Sequence, residues 1–471
     1  MKSMVNPGYK IMLKKYMILV LMIFFVSVAK GQDCSNLKVH LYDSYGDGWN
    51  GNVYTFIYME TGDTLATGGM STGSETVDEL CLPSGSFTYI VDGGSWQEEI
   101  TWELSMVSIA GFDSVFASGG APYNDTIVIG VSVDYTSDED GLLYVPSEYS
   151  SIQGAINVAN NGDTVFVAAG TYVENINFNG KNISVIGADQ ATTIIDGDSS
   201  GSAVTFNNSE SLTALLQNFT ITNGNANGDN WPYSNGGGIF IHGSSSPTLR
   251  NLIVTGNMAN DRGGGIAVIS NCSPILDNVT INQNSSSRGG GLAIQDNSNP
   301  EIQNTIISNN TTNDNGGGLF IDNNSSSSLQ NVEITDNTSG YLGGGAYISE
   351  SNVTFIDLLV SDNVANSGGG ILGYNSATIT IVNATITNNN STNGNGGGVW
   401  FENGGGLCTI SSTIISGNTS SNNSGGVGSN GGSYIISRSR INGNTAAGSG
   451  GGFYTVSGFQ EMYHVEITDN S

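Results

Sequence analysis

Three groups of residues in this chain have types and spacing that could do chemistry. The first lies in DSYGDGWNG at 43–51, where Asp43, Asp47 and Asn50 offer oxygen ligands to a hard cation such as Ca²⁺. Asp43, Asp47 and Gly48 match positions 1, 5 and 6 of an EF-hand loop, but positions 3 and 12 are Tyr45 and Tyr54, which excludes an EF-hand. The competing expectation is a tight turn that packs Trp49 on a sheet. The second group is Arg262 and Arg288, each directly before Gly-Gly-Gly. Stacked beside Asp261, they are the one site where a bound anion would offset repulsion. The third is the column that follows the first apolar residue after Gly-Gly-Gly: Phe240, Ala267, Ala293, Phe320, Tyr347, Leu372, Trp400 and Tyr454. A row of rings suits sugar stacking or a partner surface. Trp231 and Tyr233 add two more rings in the insertion ANGDNWPYSN, a long turn of the kind that carries binding residues.

What positions these residues is a repeat. Gly-Gly-Gly begins at 236, 263, 289, 316, 343, 368, 396 and 450, with a degenerate copy at Gly425-Gly426. A second column keeps the same period, an apolar residue three before Asn, from Val254/Asn257 through Ile334/Asn337 to Ile467/Asn470. Two columns at one period of about 26 residues predict a solenoid, one coil per repeat, with coils about 4.8 Å apart. Leu252/Val254 and Val279/Ile281 then point into the core at period two. Asn sits at one bend, able to bond backbone or the Asn of the next coil, and glycine supplies positive φ and close approach at another. The ring column faces out if its neighbours face in. The pattern leaves open whether it is exposed or covered by long turns. Cys272 and Cys408 lie five coils apart, beyond disulfide reach, and are expected to be free.

Ahead of the repeats, residues 32–135 alternate apolar and polar positions in short runs such as LKVHLYD and VYTFIYME, which predicts a small antiparallel β-sandwich. Cys34 and Cys81 flank it and are expected to pair. Residues 136–143 are an acidic linker. From 144 the β-helix is expected to run to 471, opened by a short amphipathic helix near 150–160 with Ser150 or Ser151 as N-cap.

The first 31 residues read as a secretory signal peptide, with Lys14-Lys15, an apolar run and small residues before Gln32. They hold five of the chain's 12 basic residues and no acid, leaving 7 bases against 41 acids. Such a balance excludes nucleic acid and anionic membrane as partners, and favours divalent cations or neutral glycans. No later segment is long enough for a membrane helix. The chain ends right after a repeat Asn with no capping element, so a truncated sequence is expected.

Two resemblances rest on these motifs. YVPSEYSSIQGAINVANNGDTVFVAAGTYVENI resembles the opening of pectin-lyase-like right-handed parallel β-helix proteins, and the GGG-apolar and I-x-x-N boxes resemble the repeats of polymorphic outer membrane proteins. DSYGDGWNG resembles an accessory β-domain of secreted bacterial proteins. The pectin-lyase-like likeness implies an all-β fold and raises polysaccharide lyase or glycoside hydrolase activity. Those enzymes need clustered carboxylates with a Lys or Arg, or paired Asp residues with a basic partner. Only Arg250, Arg262, Arg288, Arg438, Arg440 and Lys181 are available in the coils, and Arg250 falls beside Asp277 as an ordinary ion pair. The reading is therefore a secreted or cell-surface β-helix that binds an extracellular glycan or cell-surface partner. Alternatives are the enzyme, or a structural spacer for a missing C-terminal domain.

Overall fold

The computed structural model describes residues 35–59, 61–83, 85–107, 113–129, 141–402 and 406–471. The chain divides into two compact units, Met1–Asp134 and Tyr135–Ser471.

The first unit holds two four-stranded antiparallel sheets. One has the order β4-β1-β6-β7 and the other β3-β2-β5-β8. Their strands are β1 (Ser35–Asp43), β2 (Val53–Tyr58), β3 (Thr64–Gly68), β4 (Glu75–Leu82), β5 (Gly85–Asp92), β6 (Ile100–Val107), β7 (Asp113–Gly120) and β8 (Tyr123–Ile129). Alternation decides which residues turn inward: Leu37, Val39 and Leu41 of β1 are fully buried together with Phe56, Phe87, Tyr89 and Trp102. Cys81 is disulfide-bonded, whereas Cys34 lies outside the described residues.

In the second unit a short strand, Leu142–Val145, already pairs in parallel with Thr164–Val167, so coil structure begins within the stretch 136–143 expected as a linker. It is followed by α1 (Ile152–Val158), whose Ile152, Ala155 and Ile156 are buried. Ser151 caps it by accepting the Gly154 N–H at 3.0 Å, and the Glu174 carboxylate accepts the Ile152 and Gln153 N–H groups at 2.8 Å. From there the chain winds into a right-handed parallel β-helix with three sheets. The longest strands, such as Thr248–Thr255 and Ser326–Thr335, form one face; short strands such as Ile239–Ile241 form a second, of 11 strands; two-residue strands form a third, of nine. Among the described residues the strands of these sheets pair in parallel from one coil to the next, and Gly201–Asn225 is an isolated antiparallel bridge.

Both repeat boxes do what stacking requires, and they interlock. Asn257, Asn284, Asn310, Asn337, Asn363, Asn389, Asn418 and Asn444 form a buried ladder in which each side chain donates to the next coil's amide oxygen at 2.9–3.0 Å. The first glycine of each triplet takes φ near +65° to +73°, and a Cβ on the third would meet the ladder Asn, as Gly318 would meet Asn337 Nδ2 at 2.8 Å. A second ladder was not apparent from the sequence. Asn251, Asn278, Asn304 and Asn331 adopt positive φ inside the long strands and so bend them, with Asn278 donating to Asn251 at 2.9 Å. Cys272 and Cys408 are both free and buried.

Candidate functional site

The ring column sits in one register, Phe240↔Ala267↔Ala293↔Phe320↔Tyr347↔Leu372↔Trp400. It faces away from the main core, but it is not exposed. Phe240 is 3 % exposed, Phe320 2 %, Tyr347 7 % and Trp400 1 %, which decides between the exposed and the covered reading for the covered one, so these four candidate binding residues offer no open stripe. The physical reason is the turn into each triplet. It folds back so closely that a Cβ on Gly236 would lie 2.6 Å from Phe240 Cβ, and one on Gly396 2.1 Å from Trp400 Cβ. Phe320, Tyr347 and Trp400 form a smaller outer core in which Phe320 and Tyr347 stack at 5.3 Å and 5°, and Phe240 packs separately with Ala267 and Ile269. The one-dimensional pattern shows that a column faces outward, not that a turn covers it.

Trp231 and Tyr233 remain open. They are 49 % and 73 % exposed. Trp231 is held edge-on by Phe240 at 5.6 Å and by His242 at 5.7 Å, and His242 stacks on Phe240 at 4.3 Å. Burial lowers the His242 pKa, against the pull of Glu210, so this imidazole is neutral at neutral pH. The inserted turn is tied to the next coil where Asp261 N–H donates to Ser234 O at 2.9 Å.

Arg262 on that coil and Arg288 on the coil after it are in register, and both bond one carboxylate. Arg262 donates to Asp261 Oδ2, and Arg288 to Asp261 Oδ1 at 2.6 Å. Burial and the Arg288 charge lower the Arg262 pKa, while Asp261, Asp296 and Asp322 raise it. Repulsion between the arginines is thus offset from within the chain, so no bound anion is required. Arg262 Nε is buried without a partner. Desolvation raises the pKa of the partly buried Asp322 carboxyl, against the bonds from Asn323 and Ser349. Arg250 pairs with Asp277 at 3.5 Å, one coil on, as an ordinary surface ion pair.

In the small β-domain Asp43 is buried and organises its loop. Its Oδ1 accepts the Tyr45 N–H at 3.0 Å and its Oδ2 the Gly48 N–H at 2.7 Å. Burial raises its pKa, but these bonds and those from Gly46 and Asp47 bring it below the usual value. Gly48 is required there, since φ is +98° and a Cβ would lie 2.6 Å from the Ser71 backbone. Trp49 is fully buried and donates Nε1–H to Tyr42 O at 3.1 Å. Asn50 turns its amide NH₂ to Asp47 at 3.1 Å. The third acid beside Asp43 and Asp47 is Glu99, with carboxylate oxygens of all three within 4.8 Å of one another. Sequence reasoning missed Glu99, which lies 56 positions from Asp43 and arrives through the Gln97–Glu99 turn.

Among the described residues no helix is long and apolar enough to cross a membrane. No curated protein matches the chain significantly by sequence. Among solved structures it is similar to a pectin methylesterase from Yersinia enterocolitica at 12 % identity, covering 50 % of this chain and 79 % of that one, with a TM-score of 0.27. It is similar to the A-module of the Azotobacter vinelandii mannuronan C-5 epimerase AlgE6 at 16 % identity, covering 67 % and 94 %, with a TM-score of 0.32. The catalytic domain of a GH87 α-1,3-glucanase in complex with nigerose gives 13 % identity, 93 % and 86 % coverage and a TM-score of 0.23. Residues 237–412 match the family model for the right handed beta helix region, in keeping with the coil-to-coil parallel pairing of that stretch.

Proposed function

We propose that this chain is a secreted or cell-surface protein whose β-helix binds carbohydrate at the corner between the inserted turn and the following coil. One observation carries the reading: Trp231 is half exposed yet fixed by two rings, and the next two coils carry the Arg262–Asp261–Arg288 network. A fixed ring offers a flat apolar face to a pyranose at little entropic cost, and a charge network of both signs offers donors and acceptors to hydroxyls. The acidity of the chain favours uncharged glycans. A glycan array on the secreted chain should yield binders, and Trp231→Ala should weaken them at least tenfold without changing thermal stability. An array without binders sinks the reading.

A second reading is favoured by Asp322, whose carboxyl is raised by desolvation and which feels the charge of Arg262, as Asp296 does. A raised carboxyl is what a general acid needs. If the helix cleaves polysaccharide, Asp322→Asn should lower sugar release at least a hundredfold and leave binding intact. Absence of release from neutral and uronate polymers by the parent chain removes this alternative. If a metal ion binds this chain, Ca²⁺ is the metal that the carboxylate oxygens of Asp43, Asp47 and Glu99 suit.

A further inference from the structure

The DSYGDGWNG loop and GGSWQEE, the loop at 93–99, meet at one end of the small β-domain. Asn52 joins them. Its Nδ2 donates to Trp49 O at 2.8 Å and Ser95 O at 2.9 Å, and its Oδ1 accepts the Gly94 N–H at 2.9 Å. Ser44 N–H donates to Glu99 O at 3.1 Å, and Ser95 N–H to Asn50 O at 3.2 Å. Asn52 is itself buried, so the junction is part of the fold.

This junction lifts two rings into solvent. Tyr45 is 81 % exposed and Trp96 62 %, whereas Trp49, Trp102, Tyr54 and Tyr89 of the same domain are buried. Trp96 sits at φ +58°, a conformation few bulky residues adopt, and it is the residue that points its ring away from the core. Tyr45 and Trp96 line one open pocket with Asp47 and Glu99. The carboxylates lie where the chain has almost nothing to neutralise them. Lys38 is the only Lys or Arg between Gln32 and Asp134, against 15 acids, and it stands opposite Glu79 in the sheet.

We infer that this pocket binds a protonated amino sugar of a deacetylated amino-sugar glycan. A pyranose face stacks on the Trp96 or Tyr45 ring, and its ammonium group meets Asp47 and Glu99. The rings favour an organic cation over a bare metal ion, which gains little from an apolar ring face. The inference is independent of the β-helix site, which lies in the other unit.

The test is calorimetric titration of the whole secreted chain with glucosamine oligomers, N-acetylglucosamine oligomers, a lysine-rich peptide and Ca²⁺, at slightly acidic pH. Glucosamine oligomers should bind, and acetylation, which removes the charge, should weaken binding at least tenfold. Trp96→Ala and Glu99→Gln should each do the same. Tyr45→Ala serves as the second ring variant, because so exposed a residue can be removed without unfolding the domain. Trp231→Ala should leave this binding unchanged, which separates the pocket from the β-helix site. Absence of binding, or binding unmoved by both ring variants, overturns the assignment. So does a lysine peptide that binds more tightly than the glucosamine oligomer, or Ca²⁺ that alone accounts for the heat.

Discussion

Asn337→Ala is expected to destabilise the β-helix by roughly 3–6 kcal/mol and to loosen the adjoining coils first. Asn337 is fully buried and its side chain serves four partners. Its Oδ1 accepts the Asn310 N–H and Asn310 Nδ2–H, each at 3.0 Å, and its Nδ2 donates to Ile307 O at 2.9 Å and Asn363 Oδ1 at 3.0 Å. Truncation leaves these groups short of a partner in a dry interior. Each buried orphan costs about 1–3 kcal/mol, and a water admitted to the small cavity would restore part of that. Because each coil touches only its neighbours, the damage should be local. Hydrogen exchange should therefore quicken between about Ile307 and Asn363 while the coils near α1 stay protected. Asn337→Asp should be no better, since a carboxylate cannot donate to Ile307 O or Asn363 Oδ1. An unmoved urea midpoint with unchanged exchange would show that the ladder contributes nothing beyond the backbone pairing.

That ladder was legible in the sequence because a solenoid converts period into contact. A residue that recurs every 26 or 27 positions lies on its own copy, so Asn and Gly columns could be assigned from spacing, and with them the coil, the core pair Leu252/Val254 and the free Cys272 and Cys408. What spacing could not convey was what lies across a turn. Phe320, Tyr347 and Trp400 face outward, yet the chain that precedes each triplet covers them, and no periodicity distinguishes a covered outer face from an open one. The bending ladder of Asn251 and Asn278 escaped notice for a different reason. Positive φ within a strand leaves the apolar alternation on either side intact apart from a one-residue shift. In the small β-domain nothing repeats, so Glu99 and Trp96 could not be joined to the Asp43–Asp47 loop before Asn52 was seen to tie them. Asp261 was placed beside both arginines, but that it bonds both and replaces an external anion follows only from the side-chain geometry.

Gly317→Ala should cost about 3 kcal/mol, at or above the upper end of ordinary overpacking, because every obstacle to its methyl is backbone. A Cβ there would lie 2.5 Å from Gly344 O and 2.8 Å from both Thr338 C and Thr338 O. Those atoms belong to the next coil and are fixed by its own stacking bonds, such as Gly317 N–H to Gly343 O at 3.0 Å, so no side chain can swing aside. Gly443 is the control. It has φ +65° and nothing within 4 Å of its Cβ position, so Gly443→Ala should cost only the left-handed strain of about 1–2 kcal/mol. The third glycine of the triplet carries a further consequence. Gly318 lacks a Cβ where Asn337 Nδ2 and Gly345 O each approach to 2.8 Å. Gly318→Ala should therefore cost less in the Asn337→Ala background than in the parent, with a coupling of about 1 kcal/mol in a double-mutant cycle. Strict additivity would mean that the two boxes merely share a period. Coupling would mean that the third glycine is held because the next coil's Asn occupies its side-chain space, so that neither box can change without the other.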